Sequence, residues 1–306
     1  MAEDPDAEFY ETIEIHNRQF QRYSIEKQIY FVPVDDEEEA RLDNQHKLFF
    51  YVFSSRHFEP DIGSPRRILD CGYGLGTWAV QMAEDYPDAQ VVAYDIHPVD
   101  HLSDGPENLT AEICDLNERL MLSRDEEPFD FIHSRCVGGG IRKSRWDSYI
   151  RDLRAMLRPG GYVQLAEYYL LFQSDNGKLD TTNPGLYRWS QMYFRVMESY
   201  YDRDPRIGRK LADKLRSQRF RHVRSKQYKI PIGPWHEDAL MRSIGQENIA
   251  NIDQLLDSHS IYPFTNAGPD SWTARDVENN KAWAVREIND PGLKLYVVLY
   301  VAWGQR

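Results

Sequence analysis

Arg67-Ile68-Leu69-Asp70-Cys71-Gly72-Tyr73-Gly74-Leu75-Gly76 is the stretch that decides the fold. A short apolar run closed by an acid reads as a buried strand, and three glycines at alternate positions read as a turn that needs unusual backbone angles. Thr77 to Asp85 then continues with helical spacing. A strand, a glycine turn and a helix in this order make the ligand-binding corner of an open α/β sheet.

Outward from this corner the alternation continues. Gln90-Val91-Val92-Ala93-Tyr94-Asp95, Leu109-Thr110-Ala111-Glu112-Ile113-Cys114, Phe129-Asp130-Phe131-Ile132-His133 and Gly161-Tyr162-Val163-Gln164-Leu165-Ala166-Glu167 read as further strands. An amphipathic helix with Trp146, Ile150, Leu153 and Leu157 on one face precedes the last of these, and Pro159-Gly160-Gly161 predicts the turn between them. Strands separated by helices predict a parallel sheet. Residues 175–222 carry Leu186, Trp189, Tyr193, Met197 and Tyr200, then Ile207, Leu211 and Leu215, at three- and four-residue spacing. Such stripes normally pack in a core, and a helical insert at this point would also sit over the carboxyl ends of the strands. A strand near Val223 to Ile232, a polar helical region and a long strand from Lys294 to Trp303 close the chain.

On the N-terminal side, residues 1–62 read as an arm. It mixes helical pattern with an extended piece at 28–34, and the acids Asp35 to Glu39 lead into a helix at about 42–53, where carboxylates suit the first turn. The expected architecture is therefore α/β and Rossmann-like, with an arm at 1–62 and a core at 63–306 that holds a helical insert at about 175–222.

Composition excludes several classes. Hydrophobic residues at 41% and charged residues at 28% predict a globular chain, and a net charge of -12 argues against nucleic-acid binding. Against that average, eleven Lys or Arg face two acids between Arg203 and Lys229, which is either a solvated helix and strand or a surface for an acidic protein partner. Cys71, Cys114 and Cys136 lack zinc or disulfide spacing, no Asp/Asn set builds a magnesium site, and so no metal is expected. Met1 to Asp6 lacks the order of a signal peptide, and the longest apolar run, Leu295 to Trp303, falls far short of the ~20 residues that span a bilayer. No membrane association is expected, and the cytoplasm or nucleus is the expected location.

The acids around the glycine turn select the ligand. A glycine-rich corner alone also serves dinucleotides. Here the spacing at Gly72, Gly74 and Gly76 is G-x-G-x-G, and Asp70 would repel a pyrophosphate while tolerating a sulfonium and an ammonium group. That sign favours S-adenosyl-L-methionine (SAM). Asp95 ends the next strand, where a carboxylate accepts two ribose hydroxyls or merely caps a turn, with Ile96 beside it. Asp115 is placed to accept from an adenine amino group, with Leu116 as its apolar neighbour. His133-Ser134-Arg135 ends the fourth strand: His133 is a candidate general base or a packed histidine, Ser134 a candidate cofactor contact, and Arg135 a candidate partner for a carboxylate. Glu167 is the second candidate base. No Asn-Pro-Pro-aromatic sequence follows the fourth strand, so methylation of DNA bases or amides is not expected.

These residues resemble the LaeA-like fungal methyltransferases. The likeness rests on Tyr30-x-x-Pro33-x-Asp35 with Glu38, Arg41-Leu42-Asp43 and His46; on Leu69-Asp70-x-Gly72-x-Gly74-x-Gly76-x-Trp78-Ala79; on Tyr86-Pro87-x-Ala89; on Phe129 to Arg135; on Leu157-Arg158-Pro159-Gly160-Gly161; and on Ile232-Gly233-x-Trp235. It implies a seven-stranded methyltransferase sheet, SAM held by Asp70, the glycines, Asp95 and Asp115, and an arm folded over the cofactor with Tyr30 and Arg41 as lid residues. Tyr73 stands where the family usually has a small Thr, and Tyr94 where a small residue precedes the ribose acid; either ring bears on the space for the cofactor. The function expected is metal-independent methyl transfer to oxygen or nitrogen of a small secondary metabolite. The alternatives are a regulatory subunit of a protein complex and a SAM-fold enzyme that catalyses a rearrangement without methylation.

Overall fold

The computed structural model describes residues 6–306, so most of the acidic start, Met1 to Pro5, lies outside it. The arm comprises α1 (Ala7–Tyr10), a hairpin of β1 (Thr12–Ile15) and β2 (Arg18–Gln21), α2 (Arg22–Glu26) and α3 (Asp36–Val52). There follow β3 (Arg67–Cys71), α4 (Thr77–Asp85), β4 (Gln90–Asp95), β5 (Leu109–Ile113), β6 (Phe129–Arg135), α5 (Trp146–Met156) and β7 (Leu157–Ser174). The chain ends with α6 (Leu186–Ser199), α7 (Leu211–Ser217), β8 (Arg221–Ile232), α8 (Ala239–Ser258), α9 (Ala274–Ile288) and β9 (Leu295–Gln305).

The large sheet has seven strands in the order β5-β4-β3-β6-β7-β9-β8. Strands β3 to β7 run parallel, as expected, but β9 lies antiparallel between β7 and β8. Strand β8, which follows α6 and α7, is thereby parallel to β7, and β9, which follows α8 and α9, inserts between them in the reverse direction. Strand order reverses at β3, which pairs with β4 on one side and β6 on the other, so a ligand crevice opens beyond the carboxyl ends of β3 and β6.

Apolar residues cover both faces. Ile68, Val91 and Phe131 pack with Trp78, Ala79 and Met82 of α4, while Leu69, Val92 and Ile132 pack with Tyr149, Ile150 and Leu153 of α5 and Leu211 and Leu215. A third cluster gathers Phe49 of α3, Trp189 and Met197 of α6, and Leu255 of α8 over Val297 and Leu299. The predicted aromatic stripe of the insert is thus largely core, with Tyr200 half-buried.

Three local expectations need correction, and one element is unforeseen. The Pro159-Gly160-Gly161 turn falls inside β7, where Gly160 takes φ +83° and the pairing with β6 shifts register. Residues 28–34 form an irregular segment that turns at Gln28 rather than a strand. The hairpin β1–β2 closes on His16 and Asn17, both with positive φ. Helix α3 begins at Asp36, earlier than expected, because Asp35 caps it by accepting from the Glu38 N–H at 3.2 Å and Arg18 holds the same carboxylate at 2.6 Å. No helix among the described residues is long and apolar enough to cross a membrane.

Candidate functional site

The crevice holds a cavity floored by the strand ends and roofed by the arm, with Ile29, Tyr30, Pro33, Leu42 and His46 on the roof. The glycine turn supplies one wall. Gly72, Gly74 and Gly76 have φ of +76°, +57° and +74°, in the left-handed region that other residues resist. A Cβ on Gly72 would stand 2.3 Å from Val137 Cγ1, and one on Gly76 would stand 2.5 Å from Leu102 Cδ2. Gly72 and Gly74 line the cavity, whereas Gly76 starts α4 and serves close packing instead. Gly72→Ala is expected to destabilise the fold by about 2–5 kcal/mol through strain and overlap, with Val137→Ala in the same chain recovering the steric share; thermal unfolding of the two variants beside wild type checks this.

The acids occupy the expected strand ends. Asp95 Oδ2 accepts from the Gly74 N–H at 2.8 Å and Oδ1 from the His97 N–H at 3.1 Å, which leaves lone pairs for a ligand; burial pushes its carboxyl up to about 6 against those bonds. Asp115 Oδ1 accepts from the backbone and side chain of Asn117, both at 2.8 Å. Ile96 and Leu116 line the cavity beside them. Tyr73 lies along the wall, its hydroxyl 3.4 Å from the His97 carbonyl oxygen. Tyr94 is buried in the cluster with Leu69 and Leu116 and does not line the cavity.

At β6 the side chains divide by face. His133 and Arg135 line the cavity, whereas Ser134 turns to the opposite face, where its hydroxyl accepts from Tyr149 at 2.9 Å; its side chain is not a cofactor contact. His133 Nδ1 lies 2.8 Å from Asp70 Oδ1, its ring stacks on Trp78 at 3.9 Å between centroids, and its buried Nε2 has no partner among the described residues. Burial lowers the imidazole pKa, although Asp70 works to raise it, so the ring is neutral at physiological pH. Arg135 lies over Phe49 and donates to His46 Nδ1 at 3.2 Å; it has no carboxylate partner among the described residues. Burial, with Arg135 adding to it, takes His46 down to about 3 and keeps it an acceptor. His46, Trp78 and Asn117 escaped the sequence reading as site residues, although His46 and Trp78 belong to the motifs quoted above.

A second cavity adjoins the first and shares Tyr30, Leu42, Gln45 and Cys136 with it. Glu167 faces this second cavity, not the first, and the insert reaches it through Tyr193 and Met197. Arg41, expected as a lid residue, is 2% exposed and ion-paired to Glu38 at 2.5 Å.

A family profile described as a methyltransferase domain matches residues 44–219. Methyltransferase pytC of Aspergillus terreus is 28% identical over 86% of this chain and 78% of its own length. Secondary metabolism regulator LAE1 of Hypocrea atroviridis is 31% identical over 77% of this chain and 67% of its own. Among solved structures, phosphoethanolamine N-methyltransferase 2 of Haemonchus contortus, in complex with SAM, is 14% identical over 86% of this chain and 57% of its own, with a TM-score of 0.45. The chain belongs to the LaeA-like methyltransferase family and is a SAM-dependent methyltransferase with a Rossmann-like fold.

Proposed function

We propose that this chain transfers a methyl group to an oxygen or nitrogen of a small secondary metabolite, with His133 as general base. The observation that carries this is the buried Asp70–His133 pair, since His133 lines the cavity and its Nε2 is unpartnered among the described residues. The donor set suits SAM: Asp95 for the ribose, Asp115 for the adenine amino group, the glycine turn for close approach, and Arg135, free of any acid among the described residues, for the carboxylate. The free oxygen of Asp70 suits the ammonium group. SAM supplies an electrophilic methyl group already activated by its sulfonium, so the protein has to align the acceptor and remove one proton. Asp70 accepts from Nδ1–H, fixes the tautomer and leaves Nε2 as the acceptor for that proton.

The regulator reading draws support from the name of the Hypocrea relative and from the basic stretch. Within that stretch Arg206, Lys210, Lys214, Arg216, Lys226 and Lys229 each pair with an acid of the same chain, and Arg203 is buried. Most of the stretch is thus engaged within the chain, with Arg209, Arg219, Arg221 and Arg224 left over, which favours the small-molecule reading. Incubation with methyl-labelled SAM and a cell extract, then separated into small molecules and protein, tests it. Label in a metabolite one methylene heavier than its precursor is expected; label confined to protein would overturn the reading.

A further inference from the structure

The second cavity has a lining that the cofactor does not explain. Tyr30, Phe31, Tyr168, Tyr193, Met197 and Ile207 make it aromatic and apolar. Two guanidinium groups stand in its wall, and both are already engaged. Arg41 pairs with Glu38, and Arg203 donates to the carbonyl oxygens of Gly139 at 3.0 Å, Gln28 at 2.6 Å and Ile29 at 2.9 Å. An anionic guest would find at most one spare N–H, on Arg41 Nη2, beside the Glu38 carboxylate, while a protonated amine would meet the Arg203 charge, which only carbonyl oxygens contact.

Glu167 is the carboxyl group of this wall without a cationic partner; Tyr168 Oη and His259 Nδ1 in the same lining are also buried and unpartnered among the described residues. Its Oε1 accepts from the Val137 N–H at 2.9 Å and the Gly138 N–H at 3.1 Å, and its Oε2 has no partner among the described residues. A Cβ on residue 138 would stand 2.8 Å from Oε2, so a glycine there keeps the space beside that oxygen open. Burial pushes the carboxyl up to about 8, and with Oε1 engaged as an acceptor the proton belongs on Oε2.

We infer that the second cavity is the acceptor pocket, that it takes a neutral, planar phenol or enol bearing a neighbouring carbonyl, and that Glu167 Oε2 donates a hydrogen bond to that carbonyl oxygen. This rests on the small-molecule reading above and adds the substrate class and a residue that selects it. The shared wall of Tyr30, Leu42, Gln45 and Cys136 brings such an acceptor against the cofactor cavity. Glu167 then sorts substrates by hydrogen-bond polarity, since a buried donor left unpaired costs binding.

The neighbours of Glu167 that burial perturbs lie away from pH 8. Burial takes Cys136 up to about 12 and His259 down to about 4, and it raises Tyr168 and Tyr193 above the ordinary phenol value. Arg203 is lowered by burial to about 10, Arg41 is raised by Glu38, and Asp204 is ion-paired with Lys210. A change in acceptor binding near pH 8 therefore reports Glu167.

The test uses ortho-hydroxyacetophenone as probe, with benzoate and benzylamine as charged counterparts, on the full chain saturated with S-adenosylhomocysteine (SAH). Ligand-observed NMR reads probe binding, and calorimetry with SAH on the same samples reports an intact fold. Wild type is expected to bind the neutral probe and neither charged ring, with affinity falling as pH rises through about 8. Glu167→Gln keeps a donor and an acceptor, so it should retain affinity and lose the pH dependence. Glu167→Leu should bind roughly tenfold more weakly, as expected for one lost hydrogen bond. Equal binding by Glu167→Leu, preference for benzylamine or benzoate, or a Gln variant as weak as the Leu variant would each overturn the inference. A chain that binds SAH and no neutral probe sinks this inference and leaves the methyltransferase assignment standing; a chain that binds no SAH fails at the cofactor and takes the inference with it.

Discussion

His133→Phe is expected to lower kcat by roughly a hundredfold to ten-thousandfold, the range that one positioned base supplies, on the metabolite that accepts label. The variant keeps an aromatic ring against Trp78, so the stacking survives while the proton acceptor disappears. Asp70→Asn should be nearly as damaging although His133 remains. The amide would donate to Nδ1, move the ring proton to Nε2 and leave nothing to receive the acceptor's proton. Affinity for SAH should change little in His133→Phe, and calorimetry separates this from a collapse of the site. The wild-type pH profile carries a second check. Because burial lowers the His133 pKa below 6.5, the neutral form is already present at neutral pH, so kcat should rise on the acid side below that value and be flat above it. Unchanged turnover in His133→Phe would assign catalysis to alignment alone.

The reason His133 stayed ambiguous in the sequence is instructive. Strand β6 was legible, as was its carboxyl end, because a run of apolar residues closed by polar ones marks a buried strand. The partnership with Asp70 was not, because it depends on β3 and β6 lying side by side with Asp70 level with His133, a register set by residues far apart in the chain. Ser134 shows the same limit from the other direction. Side chains alternate along a strand, so one residue's displacement carries Ser134 away from the cavity and toward Tyr149. The glycine turn and the three acids were readable because their chemistry is local: left-handed angles demand glycine, and strand ends present carboxylates. The hairpin at 12–21 was not, since each strand has four residues and its turn uses His16 and Asn17 rather than an Asn-Gly pair.

Arg41→Ala is expected to cost roughly 3–5 kcal/mol of stability, because it leaves the Glu38 carboxylate buried without its counter-ion. Both side chains are 2% exposed, and they are joined at 2.5 Å and 2.9 Å. Arg41 Nη1 also donates to Gln45 at 2.9 Å and to Asn251 of α8 at 3.3 Å, while Ser258 Oγ donates to Glu38 at 2.5 Å. Asn251 passes the chain on to Asn248, which donates to the Pro231 carbonyl oxygen on β8. The arm helix is thus fastened to the end of the sheet by polar bonds that the interior makes costly to break one at a time. The loss should be visible as a fall in Tm of several degrees. Weaker SAH binding should accompany it, because Leu42, Gln45 and His46 on the same helix roof the cofactor cavity. Replacing both partners, as Glu38→Leu with Arg41→Met, should restore most of the stability, since no charge is then left unpaired. If Arg41→Ala unfolds at the wild-type temperature, the network does not hold the arm, and the roof over the cofactor must be fixed by the packing of Phe31, Leu48 and Phe49 instead.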